Sequence, residues 1–190
     1  MDKEELQKDA ELVEIAKNNP ETFGSLMERY QSKLFFYIRR LGQFSEEDAE
    51  DLLQEVFIKI YQKLNEYEED LKFSSWAYRI THNHVIDHFR KTSARQKSNA
   101  MSDEDWNKLI AGSINIEKEI GNKDCVEKIK KYIEQLPLNY REVLILRFLE
   151  EKDYEEIMDI LKKPKGTVAT AISRGKEMLV KRMKEDKINC

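Results

Sequence analysis

Breakers are scarce in this chain. Its 190 residues hold only six Gly and three Pro, so long regular elements meet few interruptions. Cysteine is scarcer still. Cys125 and Cys190 cannot make a disulfide framework, and Cys190 is not fourth from the end as a prenylation signal requires, so reduced thiols are expected. The opening stretch MDKEELQKDAELVEIAK has no apolar region and reads as no signal peptide. No apolar run reaches membrane-spanning length. The signatures of catalysis are also missing. There is no GxxxxGK[ST] loop, no GxSxG and no Cys close to a His, and Gly175-Lys176 lacks the upstream glycine of a phosphate loop. His84 and His88 stand four apart, but no second ligand cluster accompanies them, so neither metal nor cofactor is expected and the pair reads as solvated or phosphate-facing.

An excess of positive charge is lacking too. The formal net charge is -4, whereas a chain that held nucleic acid by bulk charge would be basic. The charge is unevenly spread. Residues 43–55 carry Glu46, Glu47, Asp48, Glu50, Asp51 and Glu55 with no base, while 162–187 carry nine bases against three acids. Local polarity, not the total, is informative.

What the sequence has in plenty is helical periodicity. Residues 2–18 read as a short amphipathic helix with Leu12, Ile15 and Ala16 on one side. Asn19-Pro20 is a helix start, and the next helix runs to about residue 41 on the stripe Phe23, Leu26, Met27, Tyr30, Leu34, Tyr37, Ile38 and Leu41, with Gly42 ending it. Ser45 with Asp48 resembles a capping box. It opens a helix that buries Ala49, Leu52, Leu53, Val56, Phe57, Ile60 and Leu64 and shows Asp48, Asp51, Gln54, Glu55 and Lys59 on its other face, beside an exposed Ile58. A polar loop over 66–75 and a helix over 76–91 follow. Residues 92–121, poor in periodic apolar positions, read as a flexible acidic linker with one short helical turn near Trp106, Leu109 and Ile110. Helices are then expected at 122–135, 139–150, 153–161 and 165–185, with Asp153 and Glu156 as a second capping pair. The fold class is all-α: two small helical domains, 1–91 and 122–190, the second closing on a helix-turn-helix.

Two stretches carry nucleic-acid chemistry. In DYEEIMDIL-KKPKGT-VATAISRGKEML, residues Ile157, Ile160, Leu161, Val168, Ile172 and Leu179 form a core side. Thr167, Thr170, Ser173, Arg174 and Lys176 share an outward face suited to a DNA groove. Pro164 suits the first turn, and Gly166 leaves the helix N-terminus open to a phosphate. The plainer alternative is a basic hairpin with a solvated face. The stretch SSWAYRITHNHVIDHFRK interleaves aromatics (Trp76, Tyr78, Phe89) with bases (Arg79, Arg90, Lys91) and with Asn83 and His84, which can pair with base edges. Stacking rings and cations are the means of single-strand binding, although Trp76, Ile80 and Phe89 also suit a core.

Taken together, AEDLLQEVFIKIY, FSSWAYRITHNHVIDHFRK, LPLNYREVLILRFLEEKDYEEIMDIL and PKGTVATAISRGKEML resemble the extracytoplasmic-function sigma factors of the sigma-70 family. The resemblance covers 20–91 and 122–185. It implies a promoter-specificity factor, not an enzyme, which binds the RNA polymerase core, reads the -35 and -10 elements and helps melt DNA in response to stress or envelope signals. Asp48, Asp51, Gln54, Glu55 and Ile58 would grip the clamp coiled coil of the polymerase's largest subunit, and a further contact to its flap is implied. Lys72, Ser74, Ser75, Trp76, Arg79, Asn83, His84, Arg90 and Lys91 would read and open the -10 element, with Asn83 matching the family's asparagine. Lys165, Gly166, Thr167, Thr170, Ser173, Arg174 and Lys176 would read the -35 element. The acidic linker would thread the polymerase's RNA exit path. An anti-sigma protein is implied as a partner, which could hold the otherwise cytoplasmic, nucleoid-associated chain at the membrane. Some positions depart from the pattern. Ala169 and Ala171 stand where basic residues are common, Ala77 follows the tryptophan in place of leucine, and Thr81-His82 precede Asn83. The rival reading is a stand-alone helix-turn-helix regulator. It has no use for the acidic docking helix or the melting-type helix.

Overall fold

A computed structural model describes residues 3–68, 71–93 and 123–186. The described elements are helical: α1 (Lys3–Asn18), α2 (Phe23–Gly42), α3 (Glu46–Gln62), α4 (Phe73–Ser93), α5 (Lys123–Glu134), α6 (Leu138–Leu144), α7 (Tyr154–Leu161) and α8 (Lys165–Glu185). Short 3-10 turns at Pro20–Thr22 and Leu64–Glu66 join α1 to α2 and follow α3. The all-α expectation therefore holds, with α1–α4 and α5–α8 as two helical groups. The expected linker, with its turn near Trp106, falls outside the described residues except at its first positions, where α4 runs on to Ser93.

The apolar stripe of α2 is the backbone of the first group. Phe23, Leu26, Tyr30, Leu34, Tyr37, Ile38 and Leu41 are buried, each worth about 1.5–3 kcal/mol on removal from water. Met27 of the expected stripe is instead exposed at 37%. Helix α1 turns Leu12 and Ala16 of its expected side inward but leaves Ile15 outside. Val13 and Ala16 are buried, Ile15 is exposed, and the buried Asp9 receives the Arg29 guanidinium at 2.7 Å and the Tyr30 hydroxyl. The Arg29–Asp9 ion pair thus adds to the apolar contacts of Leu12, Val13 and Ala16 in holding α1 to α2.

Two helix ends differ from the sequence reading. Gly42 is the last residue of α2, and it is Gln43 that takes the left-handed conformation, φ 53°. Glycine at 42 is needed for room, because a Cβ there would meet the ring of Phe44, which stacks on Phe89 at 5.3 Å. At α3, Ser45 accepts from the Asp48 amide, but the Asp48 carboxylate receives the Ser45 hydroxyl. It is a cap without the reciprocal backbone bond. Asp153 and Glu156, by contrast, form a complete capping box. Pro164 caps α8 from outside, one residue earlier than expected.

In the second group α6 runs into a π-turn, Ile145–Leu149, and the Glu150 amide donates to the Ile145 carbonyl at 3.0 Å. Helices α7 and α8 join through a three-residue turn in which Lys162 is left-handed at φ 52°. The buried side of α8 includes Val168, Ile172, Gly175, Leu179 and Met183. Gly175 lets α8 approach α6, with a Cβ position 3.1 Å from Leu144. The two groups touch each other, α4 lying against α7 and α2 against the α6 end.

Candidate nucleic-acid interface

Helix α4 starts at Phe73, three residues before the expected start, and this changes which side chains reach solvent. Phe73 packs on Tyr30 (5.3 Å between ring centroids), on Tyr67 (5.5 Å) and on Trp76 (5.7 Å). Trp76 is only 5% exposed, and Ser74 and Ser75 are buried beside it. Trp76, Ser74 and Ser75 are therefore corrected from candidate contacts to core residues: the apolar gain of seating Phe73 and Trp76 one turn apart carries the serines inward. Their hydroxyls find no hydrogen-bond partner.

The exposed side of α4 is narrower than expected but coherent. Arg79, Asn83, Asp87 and Arg90 follow at near-helical spacing; Asn83, Asp87 and Arg90 are exposed and Arg79 is half-buried. Lys91 is exposed beyond them. Arg79 and Asn83 line a cleft of about 310 Å³ together with Lys59 and Lys63 of α3. Those two lysines escaped the sequence reading as site residues because they close an otherwise acidic helix. Their spacing of four, pointing at the same side as Asn83, is the signal that could have found them.

His84 is the fourth correction. It is buried, with Nε2 2.9 Å from a carboxylate oxygen of Glu55. Burial, then the nearby Lys59, pulls its pKa below 6.5 against the opposing pull of Glu55. It fastens α4 to α3 and is neither solvated nor phosphate-facing. Lys72 also has company: its ammonium lies 3.4 Å from Asp153 and 3.6 Å from Glu156 of the second group.

The expected docking face is open. Asp48, Asp51, Gln54 and Glu55 are exposed, and Ile58 among them is 57% exposed. An apolar side chain of that size within a carboxylate and amide stripe suits a protein partner better than solvent.

On α8, Lys165, Gly166, Thr167, Thr170, Ser173 and Arg174 are exposed on one side, with Ala169 between them. The Thr170 hydroxyl donates to the Gly166 carbonyl at 2.7 Å. It can still accept from a base or phosphate. Lys176 is half-buried, its ammonium 4.9 Å over the Phe148 ring. It thus sits at the edge of the surface.

Comparison with known proteins decides the family. Sigma-70 region 2 matches residues 26–95 and Sigma-70, region 4 matches 127–179. The ECF RNA polymerase sigma factor SigW of Bacillus subtilis is 30% identical over 184 residues, covering 92% of this chain and 95% of that one. The chain belongs to the extracytoplasmic-function sigma factors. The ECF RNA polymerase sigma-E factor of Escherichia coli is 31% identical over 179 residues, covering 90% and 92%. Among solved structures, CnrH in complex with the cytosolic domain of CnrY has the same fold at a TM-score of 0.66, 20% identity and 92% and 96% coverage. The sigma factor RpoE with the anti-sigma factor NepR from Bartonella quintana gives 0.65, 21% identity and 88% and 98% coverage. In this sigma factor, region 2 takes in most of α2, with α3 and α4, and region 4 takes in α5 to the middle of α8.

Proposed function

We propose that this sigma factor carries RNA polymerase core to promoters through three separate surfaces. The α3 face of Asp48, Asp51, Gln54, Glu55 and Ile58 docks on the clamp coiled coil of the core. The α4 stripe of Arg79, Asn83, Arg90 and Lys91, flanked by Lys59, Lys63 and Lys72, takes the opened -10 strand. Lys165, Gly166, Thr167, Thr170, Ser173, Arg174 and Lys176 of α8 take the -35 duplex. The corresponding division is residues 1–91 for core binding and melting, 92–121 as connection and 122–190 for -35 reading. The observation that carries this reading is the pairing of both family regions, in order, with an exposed cation-and-amide face on α4 and an exposed cation-and-hydroxyl face on α8.

Recognition and strand capture account for this function, and no bond-making step by the chain is needed. Unstacking a base step costs a few kcal/mol, and an extruded base held in the α4 cleft offsets that cost. With a net charge of -4, the free chain neutralises few phosphates and binds DNA weakly, so the polymerase supplies the rest of the cationic surface. Stress- or envelope-signal control by an anti-sigma factor fits the likeness to sigma factors solved with such partners. Among the described residues no helix is long and apolar enough to cross a membrane, so any hold at the membrane belongs to that partner, and the chain works at the nucleoid once released. The test is transcription in vitro with purified core polymerase on a genomic fragment library. New start sites that depend on this chain support the reading, and their absence refutes it.

A further inference from the structure

Positive charge also collects away from the α3, α4 and α8 surfaces. The last turns of α2 and of α5 line a cavity of about 510 Å³, within the roughly 300–1,000 Å³ usual for small-molecule sites. The chain as a whole has a net charge of -4, yet this cavity is lined by Arg39 and Arg40 from α2 and by Lys130 and Lys131 from α5, against the single acid Glu134. These cations differ in how far they are already engaged. Arg40 is held at the junction of the two helical groups, where Glu150 receives its guanidinium at 2.7 Å. Lys130 is half-buried and has an interaction of its own. Arg39 and Lys131 are exposed, and among the described residues no carboxylate is paired with either.

Aromatic surface lines the same space. Phe36 is 48% exposed although the Arg40 guanidinium lies 5.5 Å over its ring. Phe44, half-buried and stacked on Phe89, lines the cavity as well. Between them Gln43, left-handed at the end of α2, donates its side-chain N–H to the Glu134 carbonyl. Its Oε1 remains an acceptor. Rings and cations together select a ligand class. A simple anion would use the cations and leave the rings wet. A plain hydrophobe would leave the cations without a counter-charge. A nucleotide has both parts: a flat base that stacks on a ring beside an arginine, and phosphates that accept charge-assisted hydrogen bonds. The Gln43 Oε1 can accept from a base amino group. Cations from two helices suit a chain of phosphates better than a single one.

We propose that this cavity binds a nucleoside di- or triphosphate, with the base on Phe36 and the phosphates on Arg39, Lys130 and Lys131. The site uses none of the residues assigned to core or promoter, so its occupancy does not depend on the sigma-factor reading. It gives the chain a direct contact with the nucleotide supply.

The experiment is calorimetric titration of the full chain with ATP, with GTP and with inorganic triphosphate, at about 0.1 M salt so that diffuse attraction is screened. At least one nucleotide should saturate a single site with a Kd below about 1 mM. Inorganic triphosphate, which has the phosphates without the base, should bind at least about tenfold more weakly. Arg39→Ala and Lys131→Ala, both at exposed positions, should each weaken nucleotide binding about fivefold or more. Phe36→Leu should do the same, while Phe36→Tyr, which keeps a ring, should bind like the wild type. Lys128→Ala removes a cation of α5 that is exposed but outside the cavity, and should leave the Kd unchanged. Circular dichroism checks that each variant is folded. Failure of both nucleotides to saturate the chain overturns the proposal. So does a Lys128→Ala loss equal to that of Lys131→Ala, which would reduce the binding to general attraction by a basic helix. Inorganic triphosphate binding as tightly as the nucleotides, or Phe36→Leu binding like the wild type, also overturns it, because the rings would then have no part in holding the ligand.

Discussion

Acid should loosen this protein through His82. The ring is 7% exposed, held between Tyr37 of α2 and Glu142 and Lys163 of the second group. Burial, and secondarily the Lys163 ammonium, pulls its pKa from 6.5 down to about 4. The folded state thus binds this proton later than the unfolded chain does. Stability from His82 is intact above pH 6.5 and is lost as pH falls from 6.5 towards 4. At pH 5.5 an unfolded histidine is mostly charged and this one is still neutral, so the loss relative to pH 7.5 is about 1.4 kcal/mol. Glu142 acts in the opposite sense: burial raises its pKa against the pull of Lys163 and Arg141, and protonation at low pH then costs the folded state less. The variant His82→Gln separates the two, because it keeps Glu142 and a polar neighbour for Tyr37. Urea unfolding followed by circular dichroism at pH 7.5 and 5.5 gives four stabilities. The wild type should lose about 1.4 kcal/mol more than His82→Gln across that interval. Equal losses would refute the argument, because His82 would then titrate alike in folded and unfolded chains.

Helix α8 offers two glycines with opposite expectations. Gly175→Val should cost about 1–3 kcal/mol in thermal or urea melts, since its side chain meets the fully buried Leu144; Gly166→Ala, which meets nothing within 4 Å, should be neutral or gain up to ~1 kcal/mol. On the DNA side, Arg174→Ala should weaken promoter binding by the holoenzyme by about 1–3 kcal/mol if it reads a base edge, measured by competition against a -35-scrambled promoter; unchanged affinity counts against that role. Asn83→Ala should leave closed-complex binding nearly intact and reduce permanganate reactivity of the -10 strand, and a wild-type footprint would remove Asn83 from melting. Replacing Ile58 by Asp should weaken core binding about tenfold or more by setting a charge in a desolvated contact, with pull-down of core as the measurement and wild-type capture as the refuting result.

Local periodicity made most of the fold legible. The stripes of α2 and α3, the Asp153–Glu156 capping box and the helix-turn-helix of α7 and α8 all follow from spacings of three and four residues. The start of α4 did not. Two serines after Phe73 read as loop, and only the distant rings of Tyr30 and Tyr67 show why the helix begins there. Tertiary packing overrode local propensity, and with it Ser74, Ser75 and Trp76 left the candidate surface. His84 failed for a related reason: its partner Glu55 lies on another helix. The junction was least legible of all. Arg40 and Glu150 are 110 positions apart, Tyr78 and Glu150 72, and no local pattern pairs residues at such distances. Glu142, buried within the apolar run of α6 and its π-turn, was the one local hint that an acid there needed a partner.

The contact between the two groups differs in chemistry from the interior of either one. Within each group the helices are held by buried aliphatic and aromatic side chains, and separating them would expose apolar surface to water. Between the groups, ion pairs and hydrogen bonds are joined by the direct packing of α4 on α7 and by the Lys152 ammonium over the Tyr78 ring, so parting them uncovers buried side chains as well as returning charges to water. Opening also redistributes charge. Parting the groups would free Lys72 and Arg40 on the first and take from Glu150 and Asp153 their partners across the contact, whereas Glu142 keeps Lys163 and Glu156 keeps Lys152.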